Sequence, residues 1–535
     1  MRTNIFRVLH LWLRLSIVAL AVLLPTMPAC GQTILQSWEG IRGPSPGVGP
    51  PPDPHGAPGP AGILATVNLR VSYYSKAGTL VWGPTNLTSF FVGNTGAGND
   101  NADPKVVFDA DSRRFFVIMQ ENHDSHFWLD VAVSRSSDPR TSGAGDWITY
   151  RLDATEYAGG NPVGGINYGG DFPGVAVDIR ALYATYRMFS FDPNGKLDGG
   201  GGTVTNLALL IMNKAQLLSG NGTLASVYFG PANSPDAQAV TPIGTDPGNV
   251  AYVATIWDSS NVRLYAVSDP LGARTLSSQF ISTANRPFSP TNSAPQLGSG
   301  NLLDTISGRT LGNASLVGGD VWFCSTRGSS SGIAAAAYYR LRLNGWPASG
   351  SVTLAEEGVV GDSAYWNFAP AIGVNLHGDA AMTWTRSSTN TYPTMMCASR
   401  TTLDSAFGAP QVVQASTFAN NDGRWGDWFS VWPDPNDGSF WIVSEWSRIN
   451  TGTWSTWWAQ IQMPAQDFYV NLNAPTIGQD GSFLRPYVTV GTANANITRG
   501  AMHIYGGHYN EQIILNKTVT LDNYGGGGTV FIGAP

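Results

Sequence analysis

The sequence predicts an all-β protein: a β-propeller of six or seven blades followed by a short β-helix-like C-terminal module. Three observations carry that expectation. Of 535 residues only 13% are charged, while 11% are aromatic and 63 are Gly, a mixture poor in helix formers and rich in strand and turn formers. A unit recurs in which an apolar, β-rich run meets an Asp, Asn or Gly turn and then a second apolar run. Successive units start roughly 40 to 75 residues apart, the scale of one four-stranded blade with variable loops, whereas a sandwich array needs shorter and more even spacing.

Residues 1–31 read as a signal peptide. Arg2, Arg7 and Arg14 precede the apolar run Leu15 to Leu24, and the small residues of MPACGQ follow; that run is short for a membrane span. Cys30 is a candidate lipoprotein cysteine, although Met27 and Pro28 fit an acylation box poorly. Residues 32–62 contain GPSPGVGPPPDPHGAPGPAG and read as a Pro/Gly-rich leader with no core of its own. The propeller is expected over 63–466. Its units start at Val106, Val175, Ala251, Ala314, Ala371 and Ser430, with ILATVNLRVSYYSKAGTLVWG from Ile63 as a seventh candidate. Residues 467–535 break the rhythm, and MHIYGG, IILN, VTLD and TVFIG read as short strands of the first coils of a right-handed β-helix.

Four segments also resemble a known group. PPDPHGAPGP, ADPKVVFD, GGDFPGVAVD and RWGDWFSVWPDPNDGSFWIVSEW are similar to landmarks of secreted bacterial proteins with a sialidase-like propeller domain. The resemblance spans most of the central region and implies the fold and export; the group has no agreed activity. Trp428 stands where those proteins usually carry Tyr. The sialidase signatures themselves are missing: there is no Phe-Arg-Ile-Pro segment, and SRSSDPRTSGAGDW and PNDGSFW are degenerate Asp boxes.

A formal charge of −7 lacks the basic surplus that phosphate backbones require, which argues against nucleic acid as a partner. Cys324 and Cys397 sit in apolar, strand-like contexts and read as buried thiols. GSSSG around Ser330 satisfies a nucleophile-elbow pattern, but a strand-like run follows it where a helix is needed, so a hairpin turn is the better reading. His123 and His126 lack a third ligand or an HExxH helix. For structural calcium the best candidates are Asp192, Asn194 and Asp198 in DPNGKLDGG, which as turn formers have an equally physical explanation.

RWGDW raises the sharpest question. Arg424 and Asp427 could form a buried pair while Trp425 and Trp428 wedge between blades, which is the expected role; removing Arg424 would then cost on the order of 3 to 5 kcal/mol. Alternatively these four residues, with Asp53, Asp103 and Asp171 before other strands, line a channel mouth and bind a ligand through aromatic faces and polar groups. The functional expectation is an exported protein, secreted or held to the envelope by lipid at Cys30, that binds a glycan or a cell-surface protein without catalysis. A diverged glycoside-processing enzyme is the alternative, since a pair of carboxylates across a groove is what such chemistry needs.

Overall fold

The computed structural model describes residues 32–43, 51–91, 100–155, 168–197, 204–229, 236–244, 246–286, 293–329, 331–402, 404–421, 424–448, 454–464, 466–476, 479, 481, 483, 485–497, 499–517, 519–525 and 528–533. The signal segment with Cys30, and also Asp198 and Ser330, lie outside these residues. No helix among them is long and apolar enough to cross a membrane.

Strands dominate, and the three described helices, Leu87–Phe90, Lys214–Ser219 and Val490–Asn496, are short. The strands assemble into five separate four-stranded sheets and an eight-stranded one, which is two four-stranded halves joined by a parallel pair between Ala237–Pro242 and Thr310–Val317. Within six of these seven units the strands follow chain order, as hairpin connections dictate. The first strands are His55–Pro58, Asp100–Asp109, Tyr168–Val177, Ala237–Pro242, Thr310–Val317, Trp366–Val374 and Ser430–Pro433. They lie side by side in chain order, and the last neighbours the first. This radial ring is a β-propeller, with the apolar faces of adjacent sheets packed as its core.

The ring is closed from the N-terminal side. Thr33–Arg42 adds itself to Trp454–Gln462 as the outer strand of the last sheet, with Trp38 opposite Trp458 and the two rings stacked at 5.9 Å. The segment 32–62 is therefore more than a leader, because it supplies this closing strand and, in His55–Pro58, the innermost strand of the first sheet. TILQSWEGIR alternates along an edge strand, and HGAP is too short and too Gly/Pro-rich to show periodicity. Both disappear beneath the composition around them. Across the seam, Ser430 Oγ donates to the Gly56 carbonyl at 2.9 Å, and Lys76 pairs with Asp434 at 2.6 Å.

Inside the ring one buried side chain ties four units. His55 Nδ1 accepts the Val106 N–H at 3.1 Å and Nε2 bonds Asn313 Oδ1 at 3.1 Å, while the Asn313 amide donates to the Val431 carbonyl at 3.0 Å. These bonds fix the tautomer with its proton on Nε2. Burial, and then the neighbouring Lys105, hold the imidazole well below its ordinary value, so it is neutral.

In the C-terminal segment Gln466–Val470, Gly500–Tyr505 and Val519–Tyr524 pair in parallel, as do Gly507–Tyr509 and Val530–Ile532. Phe468, Val490, Met502 and Ile504 fill the space beneath them. IILN forms no strand, and Ile514 is 82% exposed.

His55→Ala should leave the Val106 N–H and the Asn313 carbonyl oxygen without partners in a dry interior, a loss of about 3 kcal/mol. Urea unfolding should show the midpoint falling accordingly; a midpoint equal to that of the parent would show that the tie does not hold the ring.

Candidate functional site at the channel mouth

Six of the seven units place an aspartate at or just before the first strand: PPDP, ADPK, GGDF, SPDA, LLDT and WGDW give Asp53, Asp103, Asp171, Asp236, Asp304 and Asp427. Local backbone geometry explains how they reach the axis. Asp53, Asp103, Phe172, Ile306 and Ala369 all hold left-handed φ values between 46° and 64°. In three of those strands the ladder register slips at the same point, at Ala102/Lys105, Asp171/Gly174 and Phe368/Ala371. Such bulges re-aim a side chain, and left-handed backbone is costly for anything but Gly, so a recurrent pattern marks a constraint shared by the units.

The carboxylates bridge neighbouring units. Asp53 Oδ1 accepts the Asp427 N–H at 2.6 Å and its Oδ2 accepts the Asn68 amide at 2.6 Å; Asn68 Oδ1 in turn accepts the Asp103 N–H at 2.8 Å. Asp103 Oδ2 accepts the Phe172 N–H at 3.4 Å, and Gln120 donates to Asp171 at 3.2 Å. Asp236 lies between Arg187 at 3.5 Å and Arg309 at 3.0 Å. Arg424 reaches Asp427 at 3.1 Å.

Charge is partly suppressed here. Burial first, then the facing carboxylates, push Asp53 and Asp103 well above the usual range; Asp103 also shares a hydrogen bond with Asp171. Asp427 is pushed up to about 6 by burial, with Arg424 and Arg309 pulling the other way. Lys105 is fully buried with its Nζ 3.6 Å from the Trp428 ring centre, and burial holds its amine well below the ordinary value against the pull of Asp103, Asp53 and Asp427. The three arginine side chains stay open to solvent: Arg187 is 26% exposed, Arg309 35% and Arg424 48%. The mouth thus offers guanidinium donors over a floor of carboxyls, of which Asp53, Asp103 and Asp427 are held above the usual carboxylate range, able to hold hydroxyls and an anionic group.

No family model matches the chain, and no curated protein does. Among solved structures, it is similar to a sialidase of Trypanosoma rangeli captured with 2,3-difluorosialic acid as a covalent intermediate, at 12% identity over 73% of this chain and 56% of that one, TM-score 0.34. The NanB sialidase of Streptococcus pneumoniae is 10% identical over 77% and 68% of the two chains, TM-score 0.36. A protein of unknown function from Dyadobacter fermentans is 11% identical over 68% and 95%, TM-score 0.33. This chain spans little more than half of the trypanosomal enzyme. Likenesses of this depth say nothing about its chemistry.

The structure brings Asp53, Asp103, Asp171, Arg424 and Asp427 together at one mouth. It overturns the ligand-binding alternative for the two tryptophans of RWGDW and corrects the role expected of its Arg424–Asp427 pair. Trp425 and Trp428 have no exposed surface: Trp425 Nε1 donates to Thr385 Oγ1 at 2.9 Å, and Trp428 meets the Phe172 edge at 4.9 Å, so neither face is available for stacking on a sugar. Gly426 between them approaches Pro54 and Phe429 closely, and its N–H donates to the buried Glu445 at 2.7 Å. Conversely, the Arg424–Asp427 pair is not the buried closure expected of it, because the guanidinium faces solvent. Arg187, Arg309, Lys105, Asp236 and Asp304 escaped sequence reasoning. Asp236 directly precedes its first strand, much as Asp53 precedes another, so its signal was present; Asp304 and the arginines had none beyond neighbourhood.

The polar atoms of the metal candidates are otherwise engaged. Asp192 accepts the Asn194 and Lys196 N–H groups, each at 2.8 Å, which is the hydrogen bonding of a turn. His123 contacts Arg151 at 2.9 Å, and Cys324 and Cys397 are buried and unbridged. Ser329 and Gly332, either side of Ser330, close a hairpin turn. Among the described residues no group of three or more His, Cys, Asp or Glu is arranged to hold a metal ion.

Two outcomes follow. Arg424→Ala should change stability by less than about 1 kcal/mol, the scale of an exposed pair, as a denaturation midpoint will show. Asp427→Asn mimics the protonated carboxyl. Because the native value near 6 lies above the unfolded 3.8, the native state holds the extra proton and this group adds stability as pH falls through that window; above it the charge is carried at a cost. The variant should therefore gain melting temperature relative to the parent at pH 7, and the gain should shrink toward pH 4. A difference that stays flat with pH would remove the titration from Asp427.

Proposed function

We propose that the chain is an exported seven-bladed β-propeller with a β-helix-like C-terminal module, and that the channel mouth binds a glycan, without catalysis, at the cell surface or beyond it. The observation that supports this reading is the set of three solvent-open guanidiniums, Arg187, Arg309 and Arg424, above the carboxyl floor of Asp53, Asp103, Asp171 and Asp427. Guanidinium forks suit a carboxylate or sulfate on the sugar, and the carboxyls suit its hydroxyls. Buried tryptophans leave recognition to polar groups, so an acidic glycan is the expected ligand rather than a neutral one held by stacking.

One observation favours a second reading. A carboxyl titrating near 6 at Asp427, beside Asp53 and Asp171, is the environment of a general acid, and turnover of a glycoside would use it. The two readings part on a glycan array run beside a panel of chromogenic glycosides. Binding of acidic glycans that weakens at least about tenfold in Arg424→Ala, at unchanged melting temperature, is the expected result. Turnover lost in Asp427→Asn would replace binding with catalysis, and retention of no glycan at all would end the glycan reading.

A further inference from the structure

The last sheet fixes the end of the ring at which the chain enters it. Its inner strand Ser430–Pro433 runs from Asp427 at the mouth to the turn at Asp434, and Phe440–Ser447 returns. Trp454–Gln462 goes out again, and Thr33–Arg42 comes back antiparallel to it. Thr33, opposite Gln462, therefore stands at the turn end, away from the mouth, while Arg42, opposite Ser455, stands at the mouth end. The 10 residues of that strand span about 30 Å. Gln32 pins the entering chain. It is buried, its amide donates to the Cys397 and Ala409 carbonyls, each at 3.3 Å, and its Oε1 accepts from Ser399 Oγ at 3.3 Å. Cys30 precedes Gln32 by two residues in the sequence, a reach of no more than about 7 Å. Whatever Cys30 carries is held at the turn end and cannot reach the mouth.

Large apolar side chains stand open around this entry point. Leu35 follows Thr33 on the closing strand, and Val412 adjoins Gln411, the strand partner of Cys397. Leu376 and Leu515 border one cavity with Gln462, the partner of Thr33, and Ile514 is next to Leu515 in the chain. All five of these residues are at least 42% exposed. Apolar residues left open about one point mark an interaction surface, and beside a lipid anchor the surface they meet is the interface of a bilayer.

We propose that the turn end of the last two sheets, with the adjoining part of the C-terminal segment, is a membrane-facing surface: lipid on Cys30 tethers the ring there, Leu35, Val412, Leu376, Ile514 and Leu515 meet the bilayer interface, and the mouth points away from it. The inference rests on the reading of Cys30 as a lipid-bearing residue. That modification exchanges the thiol hydrogen for the diacylglyceryl group of a phospholipid: a C–S bond forms, the glycerol C–O bond to phosphate breaks, and the proton leaves with the phosphate head group. Lipid holds the chain, and apolar side chains beside it add to that hold and set the tilt of the ring. With about 30 Å of sheet between the two ends, the arginines and aspartates of the mouth stay in water, open to a ligand that approaches from outside the membrane.

The test uses the whole chain, exported by a Gram-negative host, taken from the membrane fraction in detergent and returned to vesicles of phosphatidylethanolamine and phosphatidylglycerol. Some of the lipid carries a nitroxide near the glycerol. A thiol-reactive fluorophore is placed on Leu376→Cys at the turn end or on Leu302→Cys, an exposed position beside Asn301, which donates to the Asn421 carbonyl ahead of Arg424; Cys324 and Cys397 are buried and take no label. Nitroxide lipid should quench the Leu376→Cys reporter and leave the Leu302→Cys reporter at its nitroxide-free emission. Cys30→Ser should move the chain from the membrane fraction to the soluble one. Wild type found only in the soluble fraction overturns the proposal, as does quenching at Leu302→Cys equal to or above that at Leu376→Cys. Retention of Cys30→Ser in the membrane overturns the tether. Glycan binding by the same preparations reads the mouth separately, so a wrong orientation and an empty mouth fail in different assays.

Discussion

The pairing of Thr33–Arg42 with Trp454–Gln462 is the constraint on which everything else rests. A ring of sheets has no intrinsic reason to close, since each sheet buries its faces equally well in an open row. Closure joins residues more than 400 positions apart, and the chain entropy of that loop has to be overcome by contacts available only in the closed form. Those contacts concentrate at the seam: the stacked Trp38 and Trp458, the Lys76–Asp434 pair, and the bond from the Asp427 N–H to Asp53. Asp53 belongs to the first unit and Asp427 to the last, so the candidate site exists only in the closed ring.

Closure also explains why the mouth is electrically unusual. Seven first strands converge on a narrow axis, and whatever side chains precede them are driven together as the sheets pack. Six aspartates gather there, and burial together with the facing carboxylates holds Asp53, Asp103 and Asp427 above the usual carboxylate range. The left-handed residues at Asp53, Asp103 and Phe172 hold carboxylates against the neighbouring unit's N–H groups instead of letting them swing outward. Strain of that kind survives only where surrounding structure over-determines it, here the interlock of adjacent sheets.

Much of the scaffold was legible in the sequence because it rests on periodicity. The six expected units and the Ile63 candidate fall in different sheets or, for those from Ala251 and Ala314, in different halves of the eight-stranded one; VVFDADSRRFFVIMQ, for example, lies in Asp100–Asp109 and Arg114–His123. The closing strand was not legible, because its partner lies at the other end of the chain and its short alternation carries no long-range signal. The site was partly legible. Asp53 and Asp427 precede their first strands as the text suggests, Asp103 and Asp171 lie inside theirs at a register slip, and the direction each neighbouring side chain faces is set by packing. Trp425 and Trp428, expected as wedges with ligand binding as the alternative, are fully buried. Arg424, one residue away, was assigned to the interior and faces water. Adjacent residues on an irregular segment alternate in fate according to which sheet they meet, and no propensity encodes that.

The same strands that gather aspartates at one end gather turns at the other, and the two ends differ for a reason rooted in connectivity. Before a first strand the chain arrives from a neighbouring sheet's outer edge along an irregular path, free to carry charge inward. After it the chain turns tightly into the second strand, and Asp109, Asp178, Asn375 and Asp434 spend their polar atoms capping those turns. Phe108, Ile179, Ile243, Leu376 and Trp432 also meet at that end, beside Arg499 and Lys517 of the C-terminal segment. Between the two ends His55, Asn313, Lys105 and Trp428 form a buried axial plug. A neutral imidazole and a lysine amine held well below its ordinary value follow from burial in that plug, because a full charge at the dry centre would have little water to solvate it.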